Sequence, residues 1–226
     1  MYRPAASRDC QRDLSSRRRP HGGAADVTGE GGGDDEEIRR FYYLRNIVME
    51  TVTKHIKIDD DFINEHDSPF EVIAPVWWTA SIYDGEEKYN KSLGPFSREQ
   101  QYIYAILWYL FEVENGGHYQ FYSNSTGIVW KDAMSGFKAL GLDEVVEIIS
   151  ESANRLGGNP NLDKDNRNTQ LDKYDPDFND LDSQLYKLDN VIYEGIYQYI
   201  LNNRNAFFFD GEIQIPKHWD ETNKDE

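Results

Sequence analysis

Glu112 to Gly127 reads E-V-E-N-G-G-H-Y-Q-F-Y-S-N-S-T-G. Paired glycines stand between two aromatic runs, and this interruption decides how the surrounding chain divides into elements. The residues before it, Ser97 to Val113, predict a buried helix. Ile103, Ile106, Leu107 and Leu110 recur at helical spacing, and Tyr102, Trp108, Phe111 and Val113 widen the apolar face. Ser97 followed by Gln100 is a capping-box pattern: the hydroxyl takes the third helical amide and the glutamine side chain returns to the cap. Asn115-Gly116-Gly117 ends the helix, because Asn and Gly tolerate left-handed backbone. His118 to Tyr122 then predicts a short helix that returns aromatics to the core. Asn124-Ser125-Thr126-Gly127 predicts a polar turn. Glu112, Glu114 and His118 could be drawn as metal ligands. The double glycine breaks the register they would need and no second histidine is near, so no metal is expected.

Upstream, Asp34-Asp35-Glu36-Glu37 opens a predicted helix carried by Ile38, Phe41, Tyr42, Ile47 and Val52 to about Lys57. Asp59-Asp60-Asp61 caps a short helical piece from Phe62 to His66. Pro75 suits the first turn of a helix within Phe70 to Tyr83. Trp77-Trp78 reads as core rather than as a binding platform. Asp84 to Pro95 reads as a loop. Downstream, Ile128 to Leu140 and Leu142 to Leu156 predict helices closed by Gly141 and by Gly157-Gly158. Asn159 to Asp177 reads as a long polar loop. Asp163-x-Asp165 begins like a calcium loop but lacks the glycine and the distal glutamate. Phe178 to Leu188 and Asp189 to Asn203 predict two further helices. Phe207 to Phe209 and Ile213-x-Ile215 flank Asp210-Gly211 as a small hairpin.

Charge narrows the partners. The 226-residue chain has a formal charge of -17. Residues 1–33 hold six Arg and four acids, so the remaining 193 carry -19 from 18 basic and 37 acidic side chains. Such a surface repels nucleic acid and anionic membranes and attracts basic proteins. Asp143, Glu147 and Glu151 fall four apart on one helix face, about 6 Å from one to the next, with Glu144 beside them. Asp172, Asp175, Asp177 and Asp180 extend the acidic set. Arg155, four beyond Glu151, offers an ordinary helix ion pair. Cys10 is the single cysteine, so no disulfide framework forms within one chain, and a cytoplasmic location is compatible. No P-loop, dinucleotide fingerprint, zinc-protease or nucleophile-elbow motif is present; neither an enzyme activity nor a cofactor is indicated.

The run N-G-G-H-Y-Q-F-Y-S-N-S-T-G resembles the signature of a bacterial family of small acidic proteins named for a DNA-mimic protein. The matching positions are Glu112 or Glu114, then Asn115, Gly116, Gly117, Gln120, Phe121, Asn124, Ser125 and Gly127. Ala139-Leu140-Gly141 and the set Phe178, Leu181, Asp182 and Tyr186 add to the resemblance, which covers roughly residues 93 to 200. It implies a helical fold and a protein, dimeric in the described case, that occupies the DNA-binding face of a transcription factor.

These readings combine into one mainly α-helical, bundle-like domain over residues 34–219, with a short C-terminal β-hairpin. A disordered or spurious extension at 1–33 precedes it and a frayed tail at 220–226 follows. The expected function is an interaction module that binds a basic DNA-binding protein. It would bind neither nucleic acid nor membrane directly. Two alternatives stand: an immunity-like protein covering a basic toxin, and a hydrolase using the Glu112–Asn124 region.

Overall fold

The computed structural model describes residues 50–66 and 68–217. The expectations for residues 1–49 and 218–226, among them the basic extension, the start of the first helix and the frayed tail, lie outside the described residues. Within them the protein is mainly helical, with one two-stranded antiparallel sheet.

Strand β1 (Thr51–Ile58) pairs with β2 (Phe209–Pro216), from Thr51 opposite Pro216 to Ile58 opposite Phe209. Residues 51–58 therefore correct the expected helix. Thr51-Val52-Thr53 and Ile56-x-Ile58 are β-branched, and Val52, Ile56 and Ile58 alternate onto one face. The C-terminal β element is present, but it pairs with β1 instead of folding back on itself. Ile213 and Ile215 are buried on the face turned inward.

Asp59 caps α1 (Asp60–Glu65) by accepting the Phe62 amide at 3.1 Å. Pro69 and Pro75 lie in the first turns of α2 (Pro69–Val72) and α3 (Ala74–Thr79). On α3, Trp77 stacks on Trp108, with ring centroids 4.5 Å apart. Helix α4 (Glu86–Leu93) replaces the loop expected between Asp84 and Pro95. Only Tyr89 and Leu93, one turn apart, face inward, and two apolar residues between glycines are too few to show a period.

Helix α5 (Arg98–Ser123) is the centre of the fold. Its predicted capping box is complete: Ser97 Oγ accepts the Gln100 amide at 3.1 Å, and Gln100 Oε1 accepts the Ser97 amide at 3.0 Å. Ile103, Ile106, Leu107 and Leu110 are all buried, each contributing about 1.5–3 kcal/mol of apolar burial. A 3-10 turn (Ser125–Val129) leads to α6 (Trp130–Ala139), which packs along α5. Gly136 permits that approach, since a Cβ there would lie 3.0 Å from Ile106 Cδ1.

Gly141 separates α6 from α7 (Asp143–Arg155), and Gly157-Gly158 closes α7, all three at positive φ. Helix α8 (Lys164–Tyr174) overturns the expected loop of residues 159–177. Asp163, which begins the rejected calcium pattern, is its N-cap and accepts the Asn166 amide at 2.9 Å. Only Arg167 and Leu171 of α8 are buried, so no apolar stripe marks it. Then come α9 (Asn179–Leu185), a 3-10 turn (Tyr186–Leu188), α10 (Asp189–Asn202) and α11 (Arg204–Phe207). No described helix is long and apolar enough to cross a membrane.

Candidate functional site

The glycines of the quoted run break α5 where the sequence places the break. Gly116 (φ -151°, ψ 21°) and Gly117 (φ 74°, ψ 179°) leave helical geometry, and the chain resumes as a second helical segment. The polar residues around the break are buried and paired with one another. Glu112, fully buried, accepts Gln120 Nε2 at 2.9 Å, Asn124 Nδ2 at 2.8 Å and Thr126 Oγ1 at 2.8 Å. The carboxylate thereby spans the kink, holding the second segment and the following turn to the first. Gly116 makes room for this arrangement, because a Cβ would stand 2.1 Å from Gln120 Oε1.

His118 is the second buried tie. Its backbone amide donates to Asp182 Oδ1 at 2.9 Å, and its ring Nδ1 contacts the same oxygen. A carboxylate only accepts, so Nδ1 carries a proton, and Nε2 shares a hydrogen bond of 2.7 Å with the Tyr109 hydroxyl. Burial pushes the Tyr109 phenol well above its ordinary value, which keeps it protonated. A Cβ at Gly117 would lie 2.4 Å from Asp182 Oδ2, and its φ of 74° is left-handed.

Arg167 is the third. Fully buried on α8, it donates through Nε to the Tyr122 carbonyl at 2.6 Å. Through its Nη atoms it donates to the carbonyls of Asn124, Asn161 and Leu162. The cation thus satisfies carbonyls left over at the C-terminal end of α5, where the helix dipole favours positive charge. Burial pulls its pKa down to about 10, still charged at neutral pH. Gly127 lies against it, and a Cβ there would be 2.6 Å from Arg167 Nε.

Residues 94–203 match the family model described as DMP19-like protein. The chain is similar to that family across this stretch, which runs from the start of α5 through α10. Comparison with curated proteins and with solved structures returns no match.

The geometry gives the family-like residues structural work. Gly116, Gly117, Gln120, Asn124 and Gly127 build or admit the kink, and Phe121 is buried edge-on to Tyr109, ring centroids 5.1 Å apart. Of the two candidate acids, Glu112 holds the kink. Glu114 lies away from it and accepts the Tyr193 hydroxyl at 3.2 Å. Desolvation and then the nearby Asp189 raise the Glu114 carboxyl. Asn115 is exposed, and Ser125 begins the 3-10 turn. Thr126, Arg167 and the partner role of Asp182 are additions from the structure. Among the described residues, no group of three or more His, Cys, Asp and Glu side chains is placed to hold a metal ion.

The acidic residues lie on the surface instead. Asp143, Glu144, Glu147 and Glu151 are all exposed on α7, opposite the buried Val145, Ile148 and Ile149. Asp172, Asp175, Asp177 and Asp180 are exposed along the end of α8, the connection and the start of α9. Asp175 ends α8 in left-handed conformation, φ 41°. Asp177 Oδ1 accepts the Asn179 amide at 2.9 Å.

Arg155 joins the two groups and divides them. It meets both oxygens of Asp180, Nη2 donating to Oδ2 at 2.8 Å, while Nε donates to Glu151 Oε1 at 3.0 Å. A further Nη1 bond runs to the Asp177 carbonyl at 2.6 Å. Hydrogen bonding from Arg155 brings Asp180 down to about 2. Glu151 and Asp180 are thus already partnered. Asp143, Glu144 and Glu147 form no ion pair with any described residue.

Proposed function

We propose that the protein is a DNA-mimic type interaction module, which binds the basic face of a DNA-binding protein such as a transcription factor and blocks its access to DNA. The carrying observation is the set of exposed carboxylates Asp143, Glu144 and Glu147 on a helix anchored from behind by Val145, Ile148 and Ile149. Rigid mounting matters because charges already ordered lose little freedom on binding. Successive carboxylates on that face rise about 6 Å along the axis. Phosphates of one DNA strand rise about 3.4 Å each, so the spacing is close to every second phosphate. The match to the DMP19-like family and the -19 charge of residues 34–226 support the same reading. Asp172, Asp175 and Asp177, exposed at the end of α8 and in the connection to α9, extend the acidic set.

The hydrolytic alternative would act through Glu114, His118 and Asn124; His118 is fully buried with protein partners and Asn124 Nδ2 donates to Glu112, while Glu114 is exposed. The interaction reading is tested by capture from host lysate at low and high salt, with and without duplex DNA as competitor. The comparison bait is Asp143→Asn, Glu144→Gln, Glu147→Gln. The expected outcome is retention of DNA-binding proteins that added salt, added DNA or the triple substitution releases. Capture of a basic toxin that duplex DNA does not displace would move the protein to the immunity-like reading. Capture indifferent to salt and to the three substitutions would sink the electrostatic mechanism.

A further inference from the structure

Asp182 stands at the meeting point of the buried kink and the acidic face. Its Oδ1 takes both the backbone amide and the ring Nδ1 of His118, and its Oδ2 fills the space left by the absent Cβ of Gly117. His118 is in turn tied to Tyr109 on the first segment of α5, at 2.7 Å. On α9, two residues before Asp182, Asp180 meets Arg155, which also holds Glu151 of α7 and the Asp177 carbonyl. A continuous polar chain therefore runs from Tyr109 through His118 and Asp182 to α9, and from Asp180 through Arg155 to α7. The apolar contacts of α9 come from Phe178, Leu181 and Leu185, all buried. Such contacts are non-directional and hold α9 to the body without fixing its rotation or slide. Asp182 supplies a directional constraint from within α9, and the Tyr186 hydroxyl in the turn after it donates to the Val113 carbonyl at 2.8 Å.

We infer that Asp182 is the positioning residue of the acidic face: its grip on His118 fixes α9, so that Asp180 orients Arg155 and the carboxylates of α7 and α9 stand in one array. The inference rests on the proposed function for what the array does, but the positioning itself is read without a partner.

Two arginine N–H groups provide the test by nuclear magnetic resonance of the full chain. Arg167 Nε–H, bonded to the Tyr122 carbonyl at 2.6 Å, reports the fold. Arg155 Nη2–H, bonded to Asp180 on α9 at 2.8 Å, reports the array. In Asp182→Ala the Arg167 signal should stay and the Arg155 signal should move toward that of a solvated arginine. Asp182→Asn keeps an oxygen for the His118 amide and should move it less. An unmoved Arg155 signal beside an intact Arg167 signal overturns the inference. Should Asp182→Ala lose both signals, Asp182→Asn decides by the same criterion.

A polyarginine peptide then probes the array. Wild type should bind with steep salt dependence, Asp182→Asn about threefold more weakly, and the charge-matched Glu86→Gln on α4 like wild type. Failure of wild type to bind would sink the proposed function and leave the resonance result standing. Equal binding by Asp182→Asn and Glu86→Gln would overturn the positioning role.

Discussion

The kink of α5 and the acidic face of α7 are both rich in polar side chains, and they obey opposite rules. At the kink, Glu112, His118 and Arg167 are fully buried and each is met by several protein partners. Glycines there stand where a Cβ would collide. On α7, the carboxylates repeat one sign of charge, and one arginine, Arg155, joins the face to α9. Buried polar groups must be satisfied within the protein or they destabilise it. Exposed ones are satisfied by water and remain available to a partner. The contrast separates residues that make the fold from those left exposed on its surface, although a family-like motif in sequence draws attention to the first kind.

The largest expected effect is at Arg167. Arg167→Met leaves the carbonyls of Tyr122, Asn124, Asn161 and Leu162 without their donor and should cost at least about 3 kcal/mol in urea unfolding. A cost under about 1 kcal/mol would show that water replaces the guanidinium readily and that the kink is less enclosed than the contrast requires.

The two glycines sharpen it next. Gly117→Ala meets both a left-handed φ and the Asp182 carboxylate, and should cost about 2–3 kcal/mol. Gly116→Ala keeps a negative φ but meets the Gln120 side chain from Oε1 at 2.1 Å back to Cβ at 2.8 Å, so about 1–2 kcal/mol is expected. Thermal unfolding of both variants checks the order, and a reversed order would mean that the Gln120–Glu112 bond outweighs the His118–Asp182 tie.

The smallest effect is on the surface. Asp180 is held near 2 by Arg155, below the ordinary carboxylate value of about 3.9. Its contribution is therefore fully present above the unfolded value and is lost as pH falls through about 2. Carbon-detected titration of Asp180 should return it to the ordinary range in Arg155→Met, with little change in neutral-pH stability because the pair is exposed.

Much of this arrangement is legible in the sequence, for local reasons. The capping box at Ser97 and Gln100, the break at Gly116-Gly117 and the closures at Gly141 and Gly157 are each set by a few neighbouring residues. Strand β1 is less legible because its partner lies at the other end of the described chain. Thr51 to Ile58 carries β-branched alternation, yet it follows an apolar run that reads as helix. Helix α8 presents two inward residues and one of them is an arginine, so a method that looks for apolar period passes over it. Arg167 itself gives no pattern; the hint is Gly127, a glycine in a polar turn with no evident reason until the guanidinium beside it is known. Of the acidic residues, exposure agrees with the sequence reading. The division made by Arg155 does not follow from spacing alone, since Asp180 lies on a different helix.

The register of β1 and β2 has a consequence for how the molecule comes together in time. Thr51 faces Pro216, so the ribbon ties residues separated by almost the whole described chain, while α5, α6 and α7 pack against sequence neighbours. Closing so long a loop is entropically costly before the intervening helices have shortened it. The ribbon is thus expected to close late, on a helical body already assembled. Its antiparallel pairing also brings the two ends of that body to one place, so a chain rejoined there and opened at an exposed loop would keep every helix contact while removing the slow closure.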